Sequence, residues 1–163
     1  MSALADELTD LDLTLAVSCG QDVAHVALDA YHGAIRSLLD HGYLMCTDLT
    51  VVDHLERDGR QLPEGVSPER FELVVNLLDL TARRRLRVLV QVADGTDVPS
   101  ITDLHPGAEA MEREAFDMFG LVFTGHPDLT RILMPETWVG HPLRKDFSSG
   151  RIPVQFKGAH QGR

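Results

Sequence analysis

The apolar positions of this chain change period as they run. Between residues 22 and 41, Val23, Val26, Ala27, Ala30, Tyr31, Ala34, Ile35, Leu38 and Leu39 recur at steps of three and four. That spacing predicts one amphipathic helix, closed by Gly42 where a helix C-terminus favours glycine. Residues 45–55 mix threonine with valine and read as a strand, and residues 59–68 carry the glycine and proline punctuation of a loop. Two more strands are predicted at 71–80 and 86–93, joined by the polar link 81–85. In the second, Leu86, Val88, Val90 and Val92 alternate with Arg87, Leu89 and Gln91, so one face is the more apolar. Strands so close in sequence favour a hairpin.

Residues 106–119 predict a second helix. Met111, Ala115, Met118 and Phe119 form its apolar stripe, Glu109 and Arg113 stand four apart outside it, and Gly120 ends it. Beyond lie residues 121–163, with Pro127, Pro135, Pro142 and Pro153 and little periodicity. So long an irregular segment is usually functional or disordered. Its Leu129, Ile132, Leu133, Met134 and Trp138 need burial, which a partner protein would supply. The expected fold class is α+β, an antiparallel sheet with helices packed on one face. The expected organisation is an α+β domain at 1–120 and an extended, proline-containing C-terminal arm at 121–163 that docks on a partner.

Composition narrows the function. The chain is 44% hydrophobic and 25% charged over 163 residues, ordinary values for one globular domain. Residues 1–120 hold 22 acidic against 9 basic side chains, and residues 121–163 hold 3 against 6. The bulk of the chain would be repelled by nucleic acid and by anionic lipid, and only the arm could attract an acidic partner. The two cysteines, Cys19 and Cys46, sit in no CxxC, which reads as a reducing compartment. No apolar run approaches the ~20 residues of a membrane helix and no targeting signal is read at the start, so membrane association is expected only through a partner.

Three constellations could carry chemistry. Glu112-Arg113-Glu114 with Asp117 places Glu114 and Asp117 at a three-residue step, conceivable as an acid–base or metal pair; a salt-bridged helix edge is the better reading, since no histidine accompanies them at helical spacing. A metal hydrolase built on Glu114, Asp117 and His126 is the corresponding enzyme hypothesis. The His-Pro series at His105, His126 and His141 could ligate zinc, but spacings of 21 and 15 residues favour turn-forming extended backbone instead. Leu143-Arg144-Lys145-Asp146-Phe147, with Arg131 upstream, lacks a glycine-rich cradle for phosphate, so Arg144 is expected to fork to a carboxylate of a partner or of this chain.

The run Glu112-Arg113-Glu114-Ala115-Phe116-Asp117-Met118-Phe119-Gly120 resembles the signature of the 30-kilodalton, or C-type, subunit of respiratory complex I (NADH–quinone oxidoreductase). The resemblance continues in step from Phe123 through Gly125-His126-Pro127-Asp128-Leu129-Thr130-Arg131-Ile132-Leu133 and on to Gly140-His141-Pro142-Leu143-Arg144-Lys145-Asp146-Phe147, with a lead-in at residues 99–104. His105, Ala110-Met111 and Ser148 depart from the usual pattern, and the chain ends at Arg163. The resemblance implies an α+β fold with no catalytic, cofactor or metal residues in this chain. Glu112, Arg113, Glu114, Asp117, His126, Pro127, Asp128, Arg131, Trp138, Arg144, Lys145 and Asp146 would be structural and interfacial. NADH, FMN, iron–sulfur clusters and quinone would reside in partner subunits. The partners implied are the quinone-site subunit, akin to the large subunit of nickel–iron hydrogenases, and neighbouring iron–sulfur subunits, on the cytoplasmic side of the bacterial plasma membrane. Related subunits serve cofactor-F420- or ferredoxin-linked dehydrogenases and membrane-bound hydrogenases, the alternative reading.

Overall fold

A computed structural model describes residue 8 and residues 13–148. A five-stranded sheet runs in the order β1-β2-β5-β4-β3. Its strands are β1 (Thr14–Ser18), β2 (Gln21–Val26), β3 (Met45–Asp53), β4 (Phe71–Asp79) and β5 (Arg84–Val92). Helix α1 (Tyr31–Asp40) connects β2 to β3, and helix α2 (Glu109–Phe119) follows β5. A short parallel pair, β6 (Val98–Pro99) and β7 (Phe123–Thr124), brackets α2 in sequence.

The β4–β5 hairpin is the spine. Phe71, Leu73, Val75 and Leu77 stand opposite Val92, Val90, Val88 and Leu86, so all eight share one face. Leu49 and Val51 of β3 and Ala24 and Val26 of β2 extend that face by register. Tyr31, Ile35 and Leu38 of α1 and Ala115, Met118 and Phe119 of α2 complete the same buried cluster. At the β4–β5 turn, the Asp79 carboxylate accepts the Thr81 and Ala82 N–H groups at 2.9 Å each and pairs with Arg84 at 3.0 Å.

The sheet is mixed rather than antiparallel throughout as expected, because β2 runs parallel to β5. The cause lies in residues 22–41, where the periodicity predicts one long helix. The first part is strand β2, a three-residue 3₁₀ turn follows at Leu28–Ala30, and α1 begins only at Tyr31. Ser18 pairs with Gln21 across Cys19-Gly20, whose φ angles are 51° and 74°. Positive φ at both central residues marks a tight two-residue hairpin turn, normally announced by Asn-Gly or Asp-Gly. Cys19 conceals it.

Residues 121–148 form a strap that lies on the domain. Within it β7 pairs with β6, and Leu143 N–H donates to the Met118 carbonyl at 3.0 Å. The rest of the expected arm, residues 149–163, lies outside the described residues.

Candidate functional site

α2 carries two fully buried carboxylates, Glu112 and Asp117, each 0% exposed. Each holds one of the loops flanking the helix. Glu112 accepts the Ile101 N–H at 2.8 Å and the Ser100 hydroxyl at 2.6 Å, fixing the loop that enters the helix. Asp117 fixes the strap that leaves it: Oδ2 accepts the N–H groups of Ile132, Leu133 and Met134 at 3.1, 2.8 and 2.8 Å. Its Oδ1 takes the Arg131 guanidinium, which also donates to the Gly140 carbonyl at 3.0 Å.

The two acids titrate in opposite directions. Burial raises the Glu112 pKa, and its two hydrogen bonds only partly offset this. Burial pushes Asp117 the same way, but the three N–H donors and Arg131 together bring it below its ordinary value of 3.8.

The last four carbonyls of a helix have no partner within it. Here Gly120 N–H takes Phe116 O at 2.9 Å and Leu143 N–H takes Met118 O at 3.0 Å. His141 Nδ1–H donates to Asp117 O at 3.0 Å, and Arg144 reaches Phe119 O at 3.4 Å. The strap thus supplies three of the four caps. Gly120, with φ of 80°, is required at this end: a Cβ there would sit 2.8 Å from the His141 ring.

Further along the strap, Arg113 donates to Thr130 O at 3.1 Å and to Arg131 O at 3.2 Å. His126 donates from Nε2 to Glu109 O at 3.1 Å and accepts the Asp128 N–H at Nδ1 at 3.0 Å. Arg144 forks to Asp94 at 2.8 Å and to Asp146 at 3.1 Å, carboxylates of this chain. Arg70 joins the same cluster through Asp53, Asp94 and Asp146 at 3.1, 2.7 and 2.9 Å. Both guanidinium groups lie over the Phe71 ring, 4.9 and 5.2 Å from its centroid. Asp53 also accepts the Lys145 N–H at 2.9 Å. Arg144 holds the Asp146 carboxyl down to about 2 against the opposing pull of burial.

Most of the residues singled out in the sequence therefore meet along one strap. Glu114 is exposed while Asp117 is sealed under backbone donors, so the two form no working carboxylate pair. Glu112 is the buried acid instead. Trp138 is half-buried and stacks on Phe147 with centroids 6.3 Å apart, so it packs within the strap. Pro127 is exposed beside His126. Asp53, Arg70 and Asp94 escape sequence reasoning, because only the fold of the sheet brings them beside the strap. Among the described residues, no group of three His, Cys, Asp or Glu is arranged to hold a metal ion, and no helix is long and apolar enough to cross a membrane.

Glu112→Gln and Glu114→Gln should both be mild, for different reasons. A glutamine at 112 can accept the Ile101 N–H and donate to Ser100 Oγ, so stability changes by no more than about 1 kcal/mol. Because the folded pKa of Glu112 is raised, its stabilising contribution is present at low pH and fades as pH rises through that value. The glutamine variant should therefore gain on the wild type as pH rises above 4.5, the ordinary value. At exposed Glu114 the change should stay within about 0.5 kcal/mol. Urea unfolding across pH checks both; a Glu114→Gln loss above about 2 kcal/mol would contradict the geometry.

The strap also presents apolar side chains outward: Leu133 is 59% exposed, Leu143 52% and Val139 88%.

A profile of the family described as respiratory-chain NADH dehydrogenase, 30 Kd subunit, matches residues 24–152. The chain is 42% identical over 151 residues to the C-type subunit of the Saccharopolyspora erythraea NADH-quinone oxidoreductase, covering 90% of this chain and 57% of that protein. It is 45% identical over 126 residues to the corresponding subunit from Salinispora arenicola, covering 77% of this chain and 48% of that one. To the Ruegeria pomeroyi subunit it is 38% identical over 158 residues, 96% of this chain and 74% of that protein. The chain thus spans about half the length of the first two relatives. Among solved structures, the trypsin-resistant fragment (1-134) of Nqo5 superposes with a TM-score of 0.67 at 26% identity, covering 77% of this chain and 96% of that one. A component of the membrane-bound sulfane sulfur reductase, an archaeal respiratory membrane complex, gives a TM-score of 0.66 at 22% identity over 90% of this chain and 84% of that one, a likeness of fold alone.

Proposed function

This chain belongs to the family of the 30-kilodalton subunit of respiratory-chain NADH dehydrogenase, and from that premise we propose that it is a structural, cofactor-free peripheral-arm subunit of a proton-pumping NADH–quinone oxidoreductase. It packs against the quinone-site subunit and neighbouring iron–sulfur subunits. NADH, FMN, the iron–sulfur clusters and quinone belong to those partners, and the chain meets the cytoplasmic face of the membrane only through the complex.

The observation that supports this reading is where the charged groups of α2 are directed. Glu112, Arg113 and Asp117 all bind loops of their own chain, which suits a scaffold better than a catalyst. Asp117 makes the point: a carboxylate that accepts three N–H groups and a guanidinium is neither free to take a proton near neutral pH nor open to a substrate. Arg131, His141, Arg144, Lys145 and Asp146 then serve to hold the strap in one shape, and its apolar side chains point outward for a partner to cover.

The test is purification of the tagged chain with its complex from native membranes. The complex should carry FMN and iron–sulfur clusters and oxidise NADH with a quinone acceptor, while the separated chain shows no visible absorption and no stoichiometric metal. Oxidation of reduced F420 or ferredoxin without NADH activity would shift the assignment to the related dehydrogenases or hydrogenases. A flavin, cluster or bound metal in the folded, separated chain would overturn the cofactor-free reading.

A further inference from the structure

The sheet face turned away from the helices is not bare. Residues 54–63 lie over it, and between this loop and strands β1, β2, β4 and β5 is a cavity of about 470 Å³. Val23, His25, Glu72 and Leu89 line it from the sheet, and His54, Arg57 and Arg60 from the loop. Register places these sheet residues together: His25 pairs with Leu89, and Glu72 with Gln91.

The polar groups here are unevenly matched. His25 Nδ1, both ring nitrogens of His54 and Arg60 Nη1 are buried without a well-formed hydrogen bond among the described residues. The His54 and Arg60 side chains are only 7% and 8% exposed. A buried polar atom left unmatched costs roughly 1–3 kcal/mol, so four in one place call for water or a ligand. All four are nitrogens. The one carboxylate, Glu72, is already engaged: Oε2 accepts Gln91 Nε2 at 2.6 Å. Its oxygens stand 3.5 Å from His54 Nε2 and 3.8 Å from Arg60 Nη1, contacts too long to satisfy either donor. Only Arg60 Nη2 is matched, by the Gln91 side-chain oxygen. The Arg57 side chain is exposed at the mouth and makes no hydrogen bond or ion pair among the described residues. Two guanidinium groups stand beside one committed carboxylate, burial keeps the two imidazoles toward their neutral form, and Glu56, Asp58 and Glu69 lie on the outer side of the same loop.

We propose that this cavity binds a small oxyanion, a phosphate group either free or carried on a small molecule. Its volume falls in the range that takes small ligands, about 300–1,000 Å³. The anion supplies acceptors to Arg60 Nη1 and to the one N–H that a neutral imidazole carries, and its charge is drawn by Arg57 and Arg60.

Binding is linked to protons. Without an anion, burial holds His25 below its ordinary pKa, Glu72 opposing; at His54 burial is reinforced by Arg60 and Arg57 and again opposed by Glu72. The strands beside them contribute no other titratable lining group. An anion of fixed charge favours the protonated imidazoles, so its affinity rises as pH falls through the histidine range; a phosphate gives up its second negative charge over the same range, with a pKa of about 6 in an ester, and pulls the other way. The site lies away from the strap and does not depend on the family's role in a larger complex.

The experiment is a titration of the full chain with inorganic phosphate and, separately, glycerol phosphate, followed by the imidazole resonances of His25 and His54. Saturable shifts are expected, with affinity for the phosphate dianion, corrected for the ligand's own titration, about tenfold higher at pH 6 than at pH 8 from the added imidazolium charge. Arg57→Gln, whose side chain supports no described contact, should keep the native spectrum and weaken binding about tenfold. Saturation by glycerol phosphate at lower concentration than by phosphate would assign the rest of the cavity to an organic portion; the reverse order would assign the site to the free anion. Shifts that grow linearly, match those in sodium chloride of equal ionic strength and persist in Arg57→Gln would overturn the site.

Discussion

Asp117→Asn should destabilise the isolated subunit by about 3–5 kcal/mol, the usual consequence of removing one partner from a buried ion pair. The side chain is fully buried, and its Oδ2 accepts three consecutive backbone N–H groups while Arg131 occupies the other oxygen. An amide cannot replace this. If its oxygen faces the N–H groups, its NH₂ faces the guanidinium; if it turns round, two donors face three. The pH dependence adds a second signature. Because Asp117 titrates below 3.8 in the folded protein, its contribution is present above the unfolded carboxylate pKa and is lost as pH falls through the folded value. The gap between wild type and variant should therefore be full around neutral pH and close in strong acid. Urea unfolding measures the gap, and hydrogen exchange at Ile132, Leu133 and Met134 locates it. A loss under about 1 kcal/mol with those amides still protected would mean that the strap is held by something else.

Much of this architecture is legible in the sequence where one period runs unopposed. The alternation from Leu86 to Val92 maps directly onto the buried positions of β5, and the stripe of Ala115, Met118 and Phe119 onto the buried face of α2. Residues 22–30 mislead because Val23 and Val26 satisfy a three-residue step as well as β2 does, and because a Cys-Gly turn lacks the usual hairpin signal. The dense charges of α2 point to the helix, but step counting does not tell which of Glu112 and Glu114 is buried; the structure buries Glu112. Nothing local distinguishes those two glutamates. What decides is the loop at Ser100 and Ile101, which chain folding returns to the helix. Sequence leaves Arg144 open between a partner and its own chain for a similar reason, since Asp94 is 50 residues away.

Leu133→Gln combined with Val139→Gln should leave the subunit folded and keep it out of the complex. The strap is tied down by its backbone and its charges, so the apolar side chains it turns outward contribute little to the fold. Leu133 is 59% exposed and Val139 88%, and polar substitution at such positions usually changes stability by less than about 0.5 kcal/mol. Their effect appears on assembly. Interface energy concentrates in a few side chains worth roughly 2 kcal/mol or more each, so losing one such contact weakens association about 30-fold. If the proposed quinone-site partner covers this surface, losing both contacts brings the factor near roughly a thousand when they act independently. Because the Leu133 N–H still reaches Asp117 in the variant, the strap keeps its shape and lost assembly cannot be blamed on lost structure. The contrast with Asp117→Asn separates the two roles: that change should lower the melting temperature and assembly together, this one assembly alone. The measurement is the fraction of tagged variant recovered in the intact complex, beside its melting temperature in isolation. Full recovery with unchanged affinity would exclude the outward face of the strap as the docking surface and leave its exposed apolar side chains without a partner.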